Sequence, residues 1–183
     1  NEEESCRYYK MAADKGNIIA MYNYGMNLER GRGVSKNEAE ACRYYKMAAD
    51  KGDIDAMNNY GSMLSKGRGV PKNEEEACRY YKMAADKGDI KAMNNYGNRL
   101  YDGQGVPKND EEACRYYKMA ADKGYIKAMN NYGNMLSDGR GAPKNEEEAS
   151  RYFKMSADKG NIDAMYNYGL MLSDGRGVPK NEE

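Results

Sequence analysis

Between Asp53 and Gly67, small and apolar residues fall at Ala56, Met57, Tyr60, Gly61 and Leu64. This is the i, i+1, i+4, i+5, i+8 spacing that gathers side chains on one side of a helix. Asp53 is a good N-cap, and Gly67 can take the left-handed conformation that ends a helix. The pattern therefore predicts a helix, called A, over 53–66. The run Gly67-Arg68-Gly69-Val70-Pro71-Lys72 then forbids continued helix. A second helix, B, is predicted over 73–87, with Ala77, Tyr81, Ala84 and Ala85 on its apolar side and Tyr80 at the margin. Asn73 caps it, and Glu76 three residues on suits a capping box. Glu74, Glu75 and Glu76 lie at the positive end of the helix dipole, Lys82 and Lys87 toward the negative end. Gly88 stops helix B and Asp89 caps the next helix, a connection so short that neighbouring helices must run antiparallel.

This 36-residue pattern repeats along the chain. Gly16, Gly52, Gly88, Gly124 and Gly160 share one register, as do Gly25, Gly61, Gly97, Gly133 and Gly169. Cys6, Cys42, Cys78 and Cys114 share another, with Ser150 in the fifth place, and Asn1, Asn37, Asn73, Asn109, Asn145 and Asn181 share a fourth. Residues 1–183 thus form a single array of five 36-residue units, beginning at helix B and ending after helix A, with ten helices expected. That phase fits a fragment of a longer array; a consensus-built protein would show the same near-identity of units. Neither helix can bury its apolar face within one unit, so the units must stack and share a core. A glycine inside helix A costs about 1 kcal/mol relative to alanine. Its recurrence at one register points to a neighbouring helix crossing too close for a side chain, with Ala84 and Ala85 suited to the same contact.

Composition narrows the chemistry. The 29 basic and 29 acidic residues cancel, and the pI of about 6.6 lacks the basic excess of a nucleic-acid binder. No apolar run approaches the ~18 residues that span a bilayer, so membrane insertion is not expected. The chain has no histidine, which removes the commonest general base and metal ligand near neutral pH. No enzyme activity, cofactor or metal site is expected. The Gly-Arg-Gly-Val-Pro-Lys loop lacks the Gly-Lys-Ser/Thr and the preceding strand of a phosphate-binding loop. The cysteines sit on equivalent helices, which pack at about 8–10 Å or more, too far apart to pair. Unpaired thiols and the absence of a visible signal segment favour a cytoplasmic setting.

The segment Ala56-Met-Asn-Asn-Tyr-Gly61-Ser-Met-Leu-Ser-Lys-Gly67-Arg-Gly69-Val70-Pro71, followed by Glu76-Ala77-Cys-Arg-Tyr80-Tyr81-Lys-Met-Ala84-Ala85-Asp-Lys-Gly88, resembles the Sel-one-like repeat, a relative of the tetratricopeptide repeat. The resemblance covers essentially the whole chain. Tyr60 stands where the family usually has leucine, and Leu64 where it often has tyrosine. The resemblance implies an all-α, right-handed superhelical solenoid of antiparallel helix hairpins, with the A helices lining a concave groove. It also implies an adaptor that assembles protein complexes. Some bacterial secreted members carry two cysteines per unit that pair within it, and this chain departs from that branch.

Comparison between the units locates a candidate site. The registers of Ile19/Asp55/Lys91/Lys127/Asp163, Tyr22/Asn58/Asn94/Asn130/Tyr166 and Met26/Ser62/Asn98/Asn134/Leu170 vary, while the core registers barely change. Steps of three or four residues join these positions into one stripe on helix A, beside the constant Asn23, Asn59, Asn95, Asn131 and Asn167. In the middle units the stripe reads Lys91, Asn94, Asn95, Asn98 and Lys127, Asn130, Asn131, Asn134. Asparagine amides can donate to and accept from a peptide backbone, and lysines attract a carboxylate. A protein or peptide partner in the groove is the expected function, with solvation or asparagines bridging the units as the plainer alternative. The alternative function is a structural array that self-associates head-to-tail through its uncapped ends.

Overall fold

The computed structural model describes residues 1–178; the last asparagine of the repeat register, Asn181, lies outside the described residues. Ten helices of 13 residues each make up the described chain: α1 (Glu2–Asp14), α2 (Ile18–Arg30), α3 (Glu38–Asp50), α4 (Ile54–Lys66), α5 (Glu74–Asp86), α6 (Ile90–Asp102), α7 (Asp110–Asp122), α8 (Ile126–Asp138), α9 (Glu146–Asp158) and α10 (Ile162–Asp174). Odd-numbered helices are of type B and even-numbered ones of type A. None is long and apolar enough to cross a membrane. The chain forms two compact units, Asn1–Ala92 and Met93–Glu183, whose boundary falls within α6. In the first, α1 to α4 each pack on the next helix in order; in the second, α7 to α9 do the same.

The caps explain why asparagine opens the B helices. Asn73 Oδ1 accepts from the Glu76 N–H at 3.0 Å, while Asn73 Nδ2 donates to Glu76 Oε2 at 3.3 Å. The backbone N–H of Asn73 is used elsewhere, donating to Leu64 O at the end of α4 at 3.0 Å. The reciprocal bond expected of a capping box therefore goes to the side-chain amide. A serine or aspartate cap has no such amide donor to offer the glutamate. Asn37, Asn109 and Asn145 repeat the arrangement with Glu40, Glu112 and Glu148. The A helices end on left-handed glycines such as Gly67, φ +65°. Two residues later Gly69, also at positive φ, lies so close to the Glu38 carbonyl that a Cβ would overlap it, pinning each such loop to the start of the preceding B helix.

The core follows the expected registers, with one correction. Ala56, Met57, Tyr60, Gly61 and Leu64 of α4 are buried, as are Ala77, Tyr81, Ala84 and Ala85 of α5. Tyr80, expected at the margin, is only 2% exposed. Its ring meets Tyr60 edge-on at 4.7 Å, Arg79 stacks on it, and its hydroxyl donates to Asp50 at the end of α3 at 2.6 Å. Tyr60 of the same repeat and Asp50 of the repeat before supply that cover, which the period of a single helix does not register. Tyr44 with Asp14 and Tyr152 with Asp122 repeat the bond. Arg79 also pairs with Glu76, three residues back, rather than with Glu75. A Cβ on Gly61 would lie 3.0 Å from the Tyr81 ring, and one on Gly133 2.7 Å from Phe153. The helix glycines therefore make room for the second aromatic of the B helix.

Candidate functional site

Lys91, Asn94, Asn95 and Asn98 stand on α6, and Lys127, Asn130, Asn131 and Asn134 on α8. Lys91 belongs to the first compact unit and the other seven to the second. Lys91 and Lys127 are exposed, and neither enters an ion pair among the described residues. The lysines of the B helices differ: Lys46 and Lys118 hold Asp50 and Asp122 one turn on, at 2.6 and 2.7 Å.

The asparagines form a ladder in the second unit. Asn131 Nδ2 donates to Asn94 Oδ1 at 3.0 Å and to Asn98 Oδ1 at 3.4 Å. One repeat on, Asn167 Nδ2 donates to Asn130 Oδ1 at 3.0 Å and to Asn134 Oδ1 at 3.2 Å. Asn94 and Asn130 are 3% and 7% exposed, so their carboxamides serve chiefly to lock one A helix to the next. Asn95, Asn98, Asn131 and Asn134 are half-buried. The constant asparagine is thus the donor of the ladder, and the varying positions beside it supply the acceptors.

A cavity of about 120 Å³ opens beside this ladder, lined by Tyr101, Tyr117, Asn131, Asn134, Met135 and Asp138. Tyr117 Oη donates to Asn98 Oδ1 at 2.8 Å, and burial, followed by the charge of Asp102, pushes its phenol well above the ordinary value. Tyr101 carries the Arg140 guanidinium 4.2 Å from its ring centroid and hydrogen-bonds it through the hydroxyl. The same guanidinium grips Asp110 through both carboxylate oxygens at 3.1 Å. Sequence reasoning missed Tyr101 and Asp138. The available signal was the register of Glu29, Ser65, Tyr101, Ser137 and Ser173, where one unit alone places an aromatic ring.

The four cysteines are buried thiols. Burial, then Glu76, pushes the Cys42 thiol up to about 11, and burial does the same to Cys114 against Glu148. Both stay protonated at neutral pH, the unreactive state of a thiol.

Stacked helix hairpins with an asparagine ladder along the A helices define an all-α solenoid repeat protein. The chain belongs to the Sel1 repeat family, which matches residues 1–17, 18–53, 54–89, 90–125, 126–161 and 162–183. Its fold is similar to that of a Sel1 repeat protein from Oxalobacter formigenes, with 34% identity and a TM-score of 0.90 over 100% of this chain and 75% of that one. It is also similar to a protective antigen of uropathogenic Escherichia coli with an SLR fold, at 28% identity and a TM-score of 0.94. The alignment covers 99% of this chain, which spans 39% of the length of that antigen. The cysteine-rich protein B of Helicobacter pylori shares the fold at 22% identity and a TM-score of 0.57, over 72% of this chain and 95% of that one. No curated protein sequence matches the chain. Sel1 repeat proteins generally act in protein–protein interaction, and the family is a helical-repeat scaffold that is generally non-enzymatic.

Proposed function

We propose that this chain is an adaptor whose A-type helices hold a peptide or helix of a partner protein in the groove they line in this family. In the second unit the contacts come from Lys127, Asn131 and Asn134 of α8 with Asn95 and Asn98 of α6, while the buried Asn94 and Asn130 hold the helices together; Lys91, in the first unit, is a separate candidate contact. The observation that carries this reading is the exposed Lys127, which varies among the units and has no ion-pair partner among the described residues. It stands in the first turn of α8, where a positive charge opposes the helix dipole. A partner carboxylate would relieve that placement. The test is a titration of peptides with free C-terminal carboxylates against the wild-type protein and Lys127→Ala and Lys91→Ala variants. Binding should weaken about three- to tenfold when a contacting lysine is removed. Equal binding by all three proteins removes the assignment.

A second reading, head-to-tail self-association, is favoured by the faces of α1 and α10. Tyr8 and Met11 of α1 are 56% and 48% exposed, and Ile162 and Tyr166 of α10 are 78% and 67% exposed. Gly169 has nothing within 4 Å of where a Cβ would stand, whereas Gly133 at the same register seats the ring of Phe153. Tyr8 and Tyr9 have the registers of Tyr80 and Tyr81, so a second copy could place them against Tyr168 and Gly169. Sedimentation over a wide concentration range distinguishes the readings, and a strict monomer counts against this one.

A further inference from the structure

We infer that the cavity between α6, α7 and α8 is a recognition pocket for a cationic side chain, arginine above all, carried by the partner peptide. This rests on the adaptor reading and deepens it by giving the partner a chemistry. The first observation is a carboxylate that the arginine of its own repeat neither hydrogen-bonds nor contacts as an ion pair. In α10, Asp174 is answered by Arg176 Nε at 3.2 Å. At the equivalent place in α8, Arg140 lies against the Tyr101 ring, gives Nη2 and Nε to Asp110 and Nη1 to the Tyr101 hydroxyl, and reaches Asp138 only through charge at a distance. Asp138 is left exposed at the cavity, with no hydrogen bond or ion pair among the described residues. As the last residue of α8 it also sits at the negative end of the helix dipole, where an acid is disfavoured.

The second observation is the wall. Two tyrosine rings, Tyr101 and Tyr117, line the space with Met135, and aromatic faces attract a planar guanidinium more strongly than they attract neutral groups. Asn131 commits its amide hydrogens to Asn94 and Asn98, so the group it retains for a ligand is its carbonyl oxygen, an acceptor. Asn134 has its oxygen taken by Asn167 and retains an amide donor, which suits a peptide carbonyl. The nearby cations are engaged elsewhere. Arg140 is not part of the lining, and Arg99 Nη1 donates to Gln104 at 2.6 Å. An acid, two rings and an acceptor thus converge on a space of about 120 Å³. A fork-shaped cation fits that set bidentately, whereas an anion would meet Asp138.

The combination occurs at one place in the chain. One repeat earlier the equivalent positions of Tyr101, Asn134 and Asp138 hold Ser65, Asn98 and Asp102, two repeats earlier Glu29, Ser62 and Lys66, and one repeat later Ser137, Leu170 and Asp174. Lys127 and Asp138 stand about 16 Å apart along α8. One helix therefore offers a cation for a partner's carboxylate and, beyond it, a carboxylate for a partner's cation.

The experiment uses N-acetyl-arginine methylamide as the probe, titrated into the isotope-labelled full chain and followed by amide chemical shifts. Saturable shifts centred on residues 131–138 and on Tyr101 are expected at millimolar concentrations. The neutral isostere, N-acetyl-citrulline methylamide, should bind at least about tenfold more weakly. Asp138→Asn should abolish the preference for arginine while leaving the helical circular dichroism intact. Tyr101→Ser, the residue of the second, fourth and fifth units, should free Arg140 and weaken arginine binding to a similar degree. Lys127→Ala should leave arginine binding unchanged, so failure of the carboxylate contact and failure of the pocket read out separately. Equal shifts with arginine and citrulline, unchanged binding by Asp138→Asn, or no shift in these residues overturns the inference.

Discussion

At the scale of single residues, the structure separates side chains that build the array from those left over for a partner. The asparagine caps were legible in the sequence because Asn-x-x-Glu before an apolar run marks a helix start. That Asn73 spends its amide on Glu76 and its backbone N–H on Leu64 was not, since that depends on where α4 ends. The ladder was open in the sequence, where bridging asparagines and peptide-binding asparagines look alike; their distances sort Asn94 and Asn130 into the frame. Ser150 is a different case. It is 1% exposed, and its hydroxyl has no hydrogen-bond partner. A buried hydroxyl left unsatisfied costs about 1–3 kcal/mol. Ser150→Cys, which restores the residue of the other four units, should raise stability by about 1 kcal/mol in denaturant titration; a loss of stability would show that the hydroxyl is satisfied.

At the scale of elements, the helix glycines were legible as a packing requirement, but what fills the space was not. The Tyr81 and Phe153 rings come nearest, and at Gly61 the Ala77 carbonyl of the crossing helix follows at 3.3 Å. This yields opposite outcomes for one substitution at two places. Gly133→Ala drives a methyl against Phe153, at 2.7 Å, and should destabilise by about 1–3 kcal/mol through overpacking. Gly169→Ala meets nothing within 4 Å and should stabilise by up to about 1 kcal/mol through helix propensity alone. Thermal melts of the two variants shifting in the same direction would refute the ring-seating account. Tyr125 is a further departure at this scale. It holds the N-cap place of α8 and forms no side-chain cap bond, whereas Asp53 caps α4.

At the scale of the whole molecule, the repeat made the fold class and the ten helices readable from spacing alone. The pocket at Tyr101 and Asp138 was not readable, because it depends on which way Arg140 turns between two repeats. The buried phenols give the molecule a definite pH response. Burial, then the hydrogen bond to Asp50, pushes Tyr80 up to about 12, and Tyr152 shifts likewise with Asp122. Burial, then Glu76, does the same to Tyr60. A phenol whose folded pKa lies above its unfolded value of 10.0 stabilises fully below that value. The stabilisation is lost as pH rises through the folded value. Stability should thus fall steeply between pH 10 and about 12, and a denaturation midpoint that does not move across that window would contradict these burials.

The claim beneath everything else is that a hairpin is held by its neighbours. Tyr80 is covered by Tyr60 within its own repeat and by Asp50 from the repeat before, so one repeat alone leaves its apolar faces in water. Circular dichroism with denaturant titration of the isolated segment 54–89 beside the full chain tests this most directly. The full chain should be strongly helical and unfold cooperatively, while the single repeat should show little helix and no transition. A cooperative transition in the isolated repeat would contradict the account.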